Sequence, residues 1–237
     1  MVTVRNGDSA GGGRCTISVG PGSRGTEMNH KKYLSIVSAC EARLEKYGDT
    51  FLGVGWTKKK EYADLRYQVM LEVIKPDISR KVSLLDFGCG ASHLLEYMLQ
   101  HNIQNVDYSG LDLSQQFLNL SKSKFPYIRY YYLDVLCDDL ELPHFDYIVL
   151  NGVFNYKGEF SFDEMLAYFK AVIGKSYNKA RTAIAFNVMS KQVEWERDDL
   201  FHLPFDPMAS FLTKDISRNF VIRHDYGLYE YTVYVYR

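Results

Sequence analysis

The residues best placed to do chemistry sit in the run Leu84-Leu85-Asp86-Phe87-Gly88-Cys89-Gly90-Ala91-Ser92. An apolar stretch of strand character ends in Asp86, two glycines come next, and a helical pattern begins at Ser92. Glycines at such a turn let the backbone approach a ligand with no Cβ in the way. The N–H groups that open the next helix are free to bind it. A lone Gly-x-Gly is equally a tight strand-to-helix turn, so its meaning depends on the strands downstream. Asp112 closes the next predicted strand, Asp134 the one after, and Asn151 the fourth. In open α/β sheets, ligands bind outside the carboxyl ends of the strands, and an acid closing the second strand can accept hydrogen bonds from both ribose hydroxyls. Four successive strands ending in polar groups on one edge point to a nucleotide-like cofactor.

The elements that must carry these residues alternate. Strands are expected over Val82–Asp86, Val106–Asp112, Ile128–Leu133, Phe145–Leu150 and Arg181–Val188. Helices are expected over Ser92–Asn102, Ser114–Lys124 and Ser161–Tyr177. Ser114 reads as an N-cap, and Ser161 with Glu164 as a capping box. Asp206-Pro207 reads as an N-cap with proline at the first helical position, opening a helix to about Arg218. Two strands, Asn219–Arg223 and Leu228–Tyr236, close the chain. They are joined without a helix, which makes them antiparallel. Before the first strand, two helices are expected over Tyr33–Lys46 and about Glu61–Lys75, the second stopped by Pro76. Residues 1–27 are rich in Gly, Ser and Arg, too poor in apolar surface to fold. They are expected to be a disordered leader, with Met28 a candidate start and residues 28–237 one domain.

The motifs as they stand resemble those of class I S-adenosylmethionine-dependent methyltransferases. Asp86-Phe87-Gly88-Cys89-Gly90 matches the first motif of that family, and Gly110-Leu111-Asp112-Leu113-Ser114 the acidic second. Leu133-Asp134-Val135 and Phe145-Asp146-Tyr147-Ile148-Val149-Leu150-Asn151 match the third and fourth. The resemblance implies a Rossmann-like, doubly wound sheet of seven strands. That sheet is mostly parallel, with one antiparallel strand near the C-terminus and N-terminal helices capping the cofactor site. It implies S-adenosylmethionine as cofactor and S-adenosylhomocysteine as product. Asp86, Gly88, Cys89, Gly90, Asp112, Leu113, Asp134, Val135 and Asn151 are the implied binding positions, Asp134 facing the adenine. Ser92 stands where the family usually has a third glycine, and is expected to cap the helix and face the methionine end. A nicotinamide dinucleotide is the competing cofactor, but its fingerprint needs glycine where this chain has His93. A cofactor-binding but catalytically silent partner subunit is the other alternative.

Arg66 lies beside the apolar face of its helix, so it is expected either to bind the cofactor's carboxylate or to pair with a structural acid. Acceptor-site candidates are Asn151, Phe154, Asn155, Tyr156, Asn187 and Met189. A lid is expected from residues 191–205 with Phe51–Trp56, and Tyr33, Tyr47 and Trp56 are candidates to fold over the site. Asn151 is also a catalytic candidate. His202 and then His224 are the candidate bases, since an unshifted imidazole titrates near neutrality.

Composition narrows the acceptor. The net charge of the 237-residue chain is −1. Its one basic cluster, Lys58-Lys59-Lys60, reads as a solvated face, so nucleic acid is disfavoured. The fourth motif lacks the prolines of DNA amino-methylating enzymes, and no Pro-Cys pair exists for cytosine C5 chemistry. Clustered carboxylates for a catechol-type metal site are missing, since Asp146 sits at the buried start of its strand. Cys15, Cys40, Cys89 and Cys137 form no CxxC pair, so no metal is expected, and free thiols suit a reducing cytosol. No apolar run is long enough to cross a membrane. The expected acceptor is a small polar metabolite, methylated at oxygen or nitrogen. The sequence leaves the oligomeric state open.

Overall fold

The computed structural model describes residues 30–56, 59–75, 80–137 and 142–237. The expected leader, Cys15, Lys58 and Pro76 lie outside them. Among the described residues the chain runs α1 (His30–Tyr47), α2 (Lys60–Leu71), β1 (Val82–Phe87), α3 (His93–Gln100), β2 (Val106–Asp112), α4 (Gln115–Lys124) and β3 (Arg129–Tyr132). It continues through β4 (Phe145–Leu150), α5 (Phe162–Lys179), β5 (Ala180–Ser190), β6 (His202–Leu203), α6 (Phe205–Phe211), β7 (Phe220–Arg223) and β8 (Glu230–Tyr236).

One sheet carries the order β3-β2-β1-β4-β5-β8-β7, and the two-residue β6 pairs with β5 off that path. β1 through β5 pair in parallel, and β8 runs antiparallel to both β5 and β7. That is the expected mostly parallel sheet with one reversed strand near the C-terminus, and β6 is an addition to the seven strands read from the sequence. Every residue of β4 is buried, as parallel strands covered on both faces must be. Leu85, Ile148, Ile184 and Val233 pack toward α5 and α6 on one face. Leu84, Val149, Ala185 and Tyr234 pack toward α2 and α3 on the other.

Local chemistry sets most element ends. Ser161 and Glu164 form the reciprocal capping box of α5, and Ser114 Oγ accepts from Phe117 N at the start of α4. Several boundaries differ from expectation. α2 ends at Leu71, short of Lys75. α6 starts at Phe205, with Pro204 as its N-cap instead of Asp206. Pro207 then falls within the first turn, where a missing N–H costs nothing because no intrahelical acceptor exists there. The end of α6 widens into a π-helical turn, Leu212–Ile216. At the buried start of β4, Asp146 accepts from Ser83 N at 2.9 Å and from both Arg80 guanidinium nitrogens at 3.0 and 2.9 Å. These contacts pull its carboxyl down to about 2, the Arg80 hydrogen bonds being the largest cause. Lys59 and Lys60 are exposed. No described helix is long and apolar enough to cross a membrane.

Candidate active site

A cavity of about 740 Å³ opens at the carboxyl edge of the parallel strands, within the size range of small-molecule sites. Its floor is the β1–α3 turn. Gly88 and Gly90 have φ of +73° and +50°, and a Cβ on Gly88 would stand 2.7 Å from Val153 Cγ2. A Cβ on Gly90 would only reach ordinary van der Waals contact with the Phe117 ring, at 3.9 Å. Gly88 N and Cys89 N both donate to Leu111 O, which ties the turn to the end of β2. Asp112 is fixed from two sides: Gly90 N donates to Oδ2 and Ser114 N to Oδ1, each at 2.8 Å. Burial pushes its carboxyl up, against the pull of these N–H donors. Each oxygen still has lone-pair capacity for a ribose hydroxyl. Asp86, deeper on β1, accepts from Tyr108 O–H at 2.8 Å, and burial pushes it up to about 7. Asp86, Cys89, Leu113 and Asn151 line the same cavity. Neither polar atom of the Asn151 side chain has a hydrogen-bond partner within the protein. The glycine backbone of the turn and a two-oxygen acceptor on β2 together fit an adenosyl cofactor.

α1 and α2 cover the cavity from the N-terminal side, with Tyr33, Tyr47, Trp56 and Arg66 in its walls. Arg66 takes the structural option: its Nε donates to Glu230 Oε1 at 2.8 Å, and its guanidinium lies 4.7 Å from the Trp56 ring. Glu230 also receives Asn187 Nδ2 at 2.8 Å and Asn155 Nδ2 at 3.4 Å. Gly152, with φ +78°, passes beneath Trp56 so closely that a Cβ would be 2.4 Å from the ring. Leu52, Val54 and Gly55 complete one side of the roof, and Trp195, Arg197 and Leu200 the other. Both expected lid segments therefore contribute, although Phe51 itself packs against His93.

Other expectations are corrected. His202 is buried, with Nδ1 on Ser190 O at 2.7 Å and Nε2 accepting from Arg197 N at 3.3 Å. Both nitrogens are occupied in holding the 191–205 loop to β5, and the residue does not line the cavity. His224 is exposed and packs beside Phe205, also off the cavity. Of the three catalytic candidates only Asn151 is in the site. Asp134 and Val135 are not in the cavity wall either. The Asp134 carboxylate receives Tyr33 O–H and Leu136 N, because α1 lies across the end of β3. Ser92 holds the N-cap position of α3, but its side chain makes no capping bond: it is fully buried at φ +59°, and its Oγ bonds with Ser121 and Tyr130. The left-handed backbone explains why glycine suits this position, and the buried hydroxyl bonds offset its strain. Among the acceptor candidates, Asn155, Tyr156 and Met189 line the cavity. Phe154 is core, and Asn187 is buried between Gly152 N and Glu230. The ring of His93 is buried at the head of α3 and bonded to Asp49 at 2.7 Å, where a dinucleotide fingerprint needs open space. Sequence reading missed Glu230, whose only signal was an acid heading an otherwise Tyr- and Val-rich strand.

A methyltransferase domain family matches residues 85–174, which span β1 to α5. Rv1506c of Mycobacterium tuberculosis, which is named as a methyltransferase, is 29% identical over 157 residues, covering 65% of this chain and 92% of its own. Among solved structures, magnesium protoporphyrin IX methyltransferase from Synechocystis, with S-adenosylmethionine bound, superposes at a TM-score of 0.58. Its identity is 14%, and 89% of this chain and 96% of that one are covered. The amino pentose methyltransferase CalS10 of Micromonospora echinaspora aligns at 0.51 with 15% identity, over 77% of this chain and 92% of that one. At such identities the superpositions speak for the fold. The domain match over residues 85–174 and the relative named as a methyltransferase, in line with the ordered strand-end motifs, support an S-adenosylmethionine-dependent methyltransferase.

Proposed function

We propose that the protein methylates a small polar metabolite at oxygen or nitrogen, held beside the ends of β4 and β5. The observation that carries this reading is the single continuous cavity. One end is built from Gly88, Gly90 and Asp112, and the other from Asn151, Asn155, Tyr156 and Glu230. The backbone of Gly88 and Gly90 would take the cofactor's methionine end and Asp112 its ribose hydroxyls, with Asp86, Cys89 and Leu113 around them. When bound, the cofactor supplies an electrophilic methyl group on a sulfonium, already a good leaving group. The task left to the chain is to hold the acceptor in line and exclude water. The roof of Trp56, Trp195 and Leu200 suits that task, and a cavity of about 740 Å³ suits a small acceptor. The thiols of Cys40 and Cys89, which form no disulfide, suit a cytosolic protein.

Calorimetry with S-adenosylhomocysteine tests the cofactor assignment. Asp112→Ala is expected to weaken binding by about 1–3 kcal/mol, the cost of removing a charged acceptor from two hydroxyls. No binding to the folded parent protein would refute the reading, and unchanged affinity in the variant would remove Asp112 from it.

A further inference from the structure

The acceptor end of the cavity holds a carboxylate with a spare oxygen. Glu230 heads β8, stands in register with Met189 of β5, and is 1% exposed. Oε1 is doubly engaged, by Arg66 Nε and Asn187 Nδ2. Oε2 has one long contact, Asn155 Nδ2 at 3.4 Å. In the same cavity, Asn155 Oδ1 and Asn151 Oδ1 have no protein partner, and Asn151 Nδ2 is an unpaired donor. The three oxygens with spare acceptor capacity match a ligand that donates hydrogen bonds.

The second observation concerns protons. A hydroxyl acceptor needs a base to take its proton during transfer, whereas a neutral amine offers a lone pair directly. His202 has both nitrogens engaged, and His224 lies off the cavity. His93 lines the cavity with Nδ1 unpaired, but it stands at the head of α3 with Nε2 on Asp49, and Asp86 precedes the glycine turn; both lie on the cofactor's side of the cavity. At the acceptor end Glu230 is the one carboxylate among the described lining residues, and its charge is already shared with Arg66, which suits it to holding an N–H donor more than to taking a hydroxyl proton.

We propose that the methyl acceptor is an amine, with Glu230 as the catalytic residue that receives its N–H and stabilises the charge growing on its nitrogen. The inference rests on the methyltransferase reading of the same cavity. The acceptor arrives as an ammonium held by Glu230, gives one proton to water, and its nitrogen, now carrying a lone pair, attacks the methyl carbon as the C–N bond forms. The electrons of the breaking C–S bond stay on sulfur, giving S-adenosylhomocysteine. The nitrogen becomes a methylammonium, which later loses a proton to water. Positive charge moves from sulfur to nitrogen, so a fixed carboxylate at the nitrogen favours the transition state over the ground state. Arg66 fixes Oε1 and leaves Oε2 for the substrate. At the cavity mouth, Trp195 and Tyr229 are 58% and 55% exposed with ring centroids 6.2 Å apart, a surface suited to an amine borne on a ring.

The test uses protein saturated with S-adenosylhomocysteine and two matched pairs of probes, benzylamine with benzyl alcohol and cyclohexylamine with cyclohexanol. Binding at neutral pH is read by calorimetry. Each amine is expected to bind about tenfold or more tighter than its alcohol, as a charge-assisted contact would give. In Glu230→Gln that preference is expected to fall to about threefold or less. Equal affinities within each pair, no amine binding, or a preference that survives in Glu230→Gln overturns the proposal. Glu230→Gln strips Arg66 of its buried partner and can unfold. The parent comparison therefore stands as a test by itself, and without the preference the proposal falls. Absence of S-adenosylhomocysteine binding overturns the cofactor reading and this proposal with it. Cofactor binding without amine preference overturns this proposal alone.

Discussion

Gly152→Ala should displace the roof of the site, and the structure sets the size of the effect. Gly152 has φ +78°, where an L-residue costs about 1–2 kcal/mol. The added Cβ would lie 2.4 Å from Trp56 Cη2 and 3.1–3.2 Å from two further ring carbons, so the indole has to move. Moving it stretches the bond from Trp56 Nε1 to Tyr67 O–H, now 3.2 Å, and unstacks the Arg66 guanidinium. Those contacts are worth about 0.5–1.5 and about 0.5–1 kcal/mol respectively. The expected loss is about 2–4 kcal/mol in urea unfolding, with S-adenosylhomocysteine affinity also reduced. In a Trp56→Ala background the clash is gone, so the same glycine change should cost only about 1–2 kcal/mol. A cycle of the two variants should therefore show coupling of about 1–2 kcal/mol. Strict additivity would refute the reasoning, because it would mean that Trp56 does not rest on Gly152.

Three further outcomes are tied to particular groups. Asp86 is pushed up to about 7, so without cofactor it retains a proton that the unfolded chain has lost; its contribution to stability is full below the ordinary carboxylate range and is lost as pH rises through about 7. A cationic cofactor favours its ionised form, so S-adenosylmethionine should release protons near neutral pH in calorimetry across buffers of different ionisation enthalpy, and Asp86→Asn should abolish that release. His202→Ala should lower stability by about 1–3 kcal/mol through its two lost hydrogen bonds, with S-adenosylhomocysteine affinity unchanged; a large rate loss at unchanged stability would reinstate it as a base. Asp146→Ala leaves Ser83 N unpaired and should cost about 1–3 kcal/mol with normal cofactor affinity. The parent's own contribution from Asp146 is present above the ordinary carboxylate range and is lost only as pH falls through about 2.

The sequence by itself determined the sheet and the glycine turn at its carboxyl edge. β2 and β4 fall on the expected residues, as does the cap at Ser114. The Gly88–Gly90 turn and Asp112 lie where strand-end logic put them. These features are local: a strand period, a cap and a glycine turn are each written within a few consecutive residues, and the parallel topology then gathers the strand ends on one edge. Only the tertiary structure decided the acceptor end. Asp134 was drawn away by Tyr33, more than a hundred residues before it, and Arg66 was claimed by Glu230 from the far end of the chain. His202 carries the residue type of a base, but a two-residue strand pairing with β5, too short to show any period, turned both its nitrogens to backbone. Whether a polar side chain faces a ligand depends on which distant partner reaches it first. Residue spacing along the chain holds no record of that competition, because its participants become neighbours only when the sheet and its covering helices have assembled.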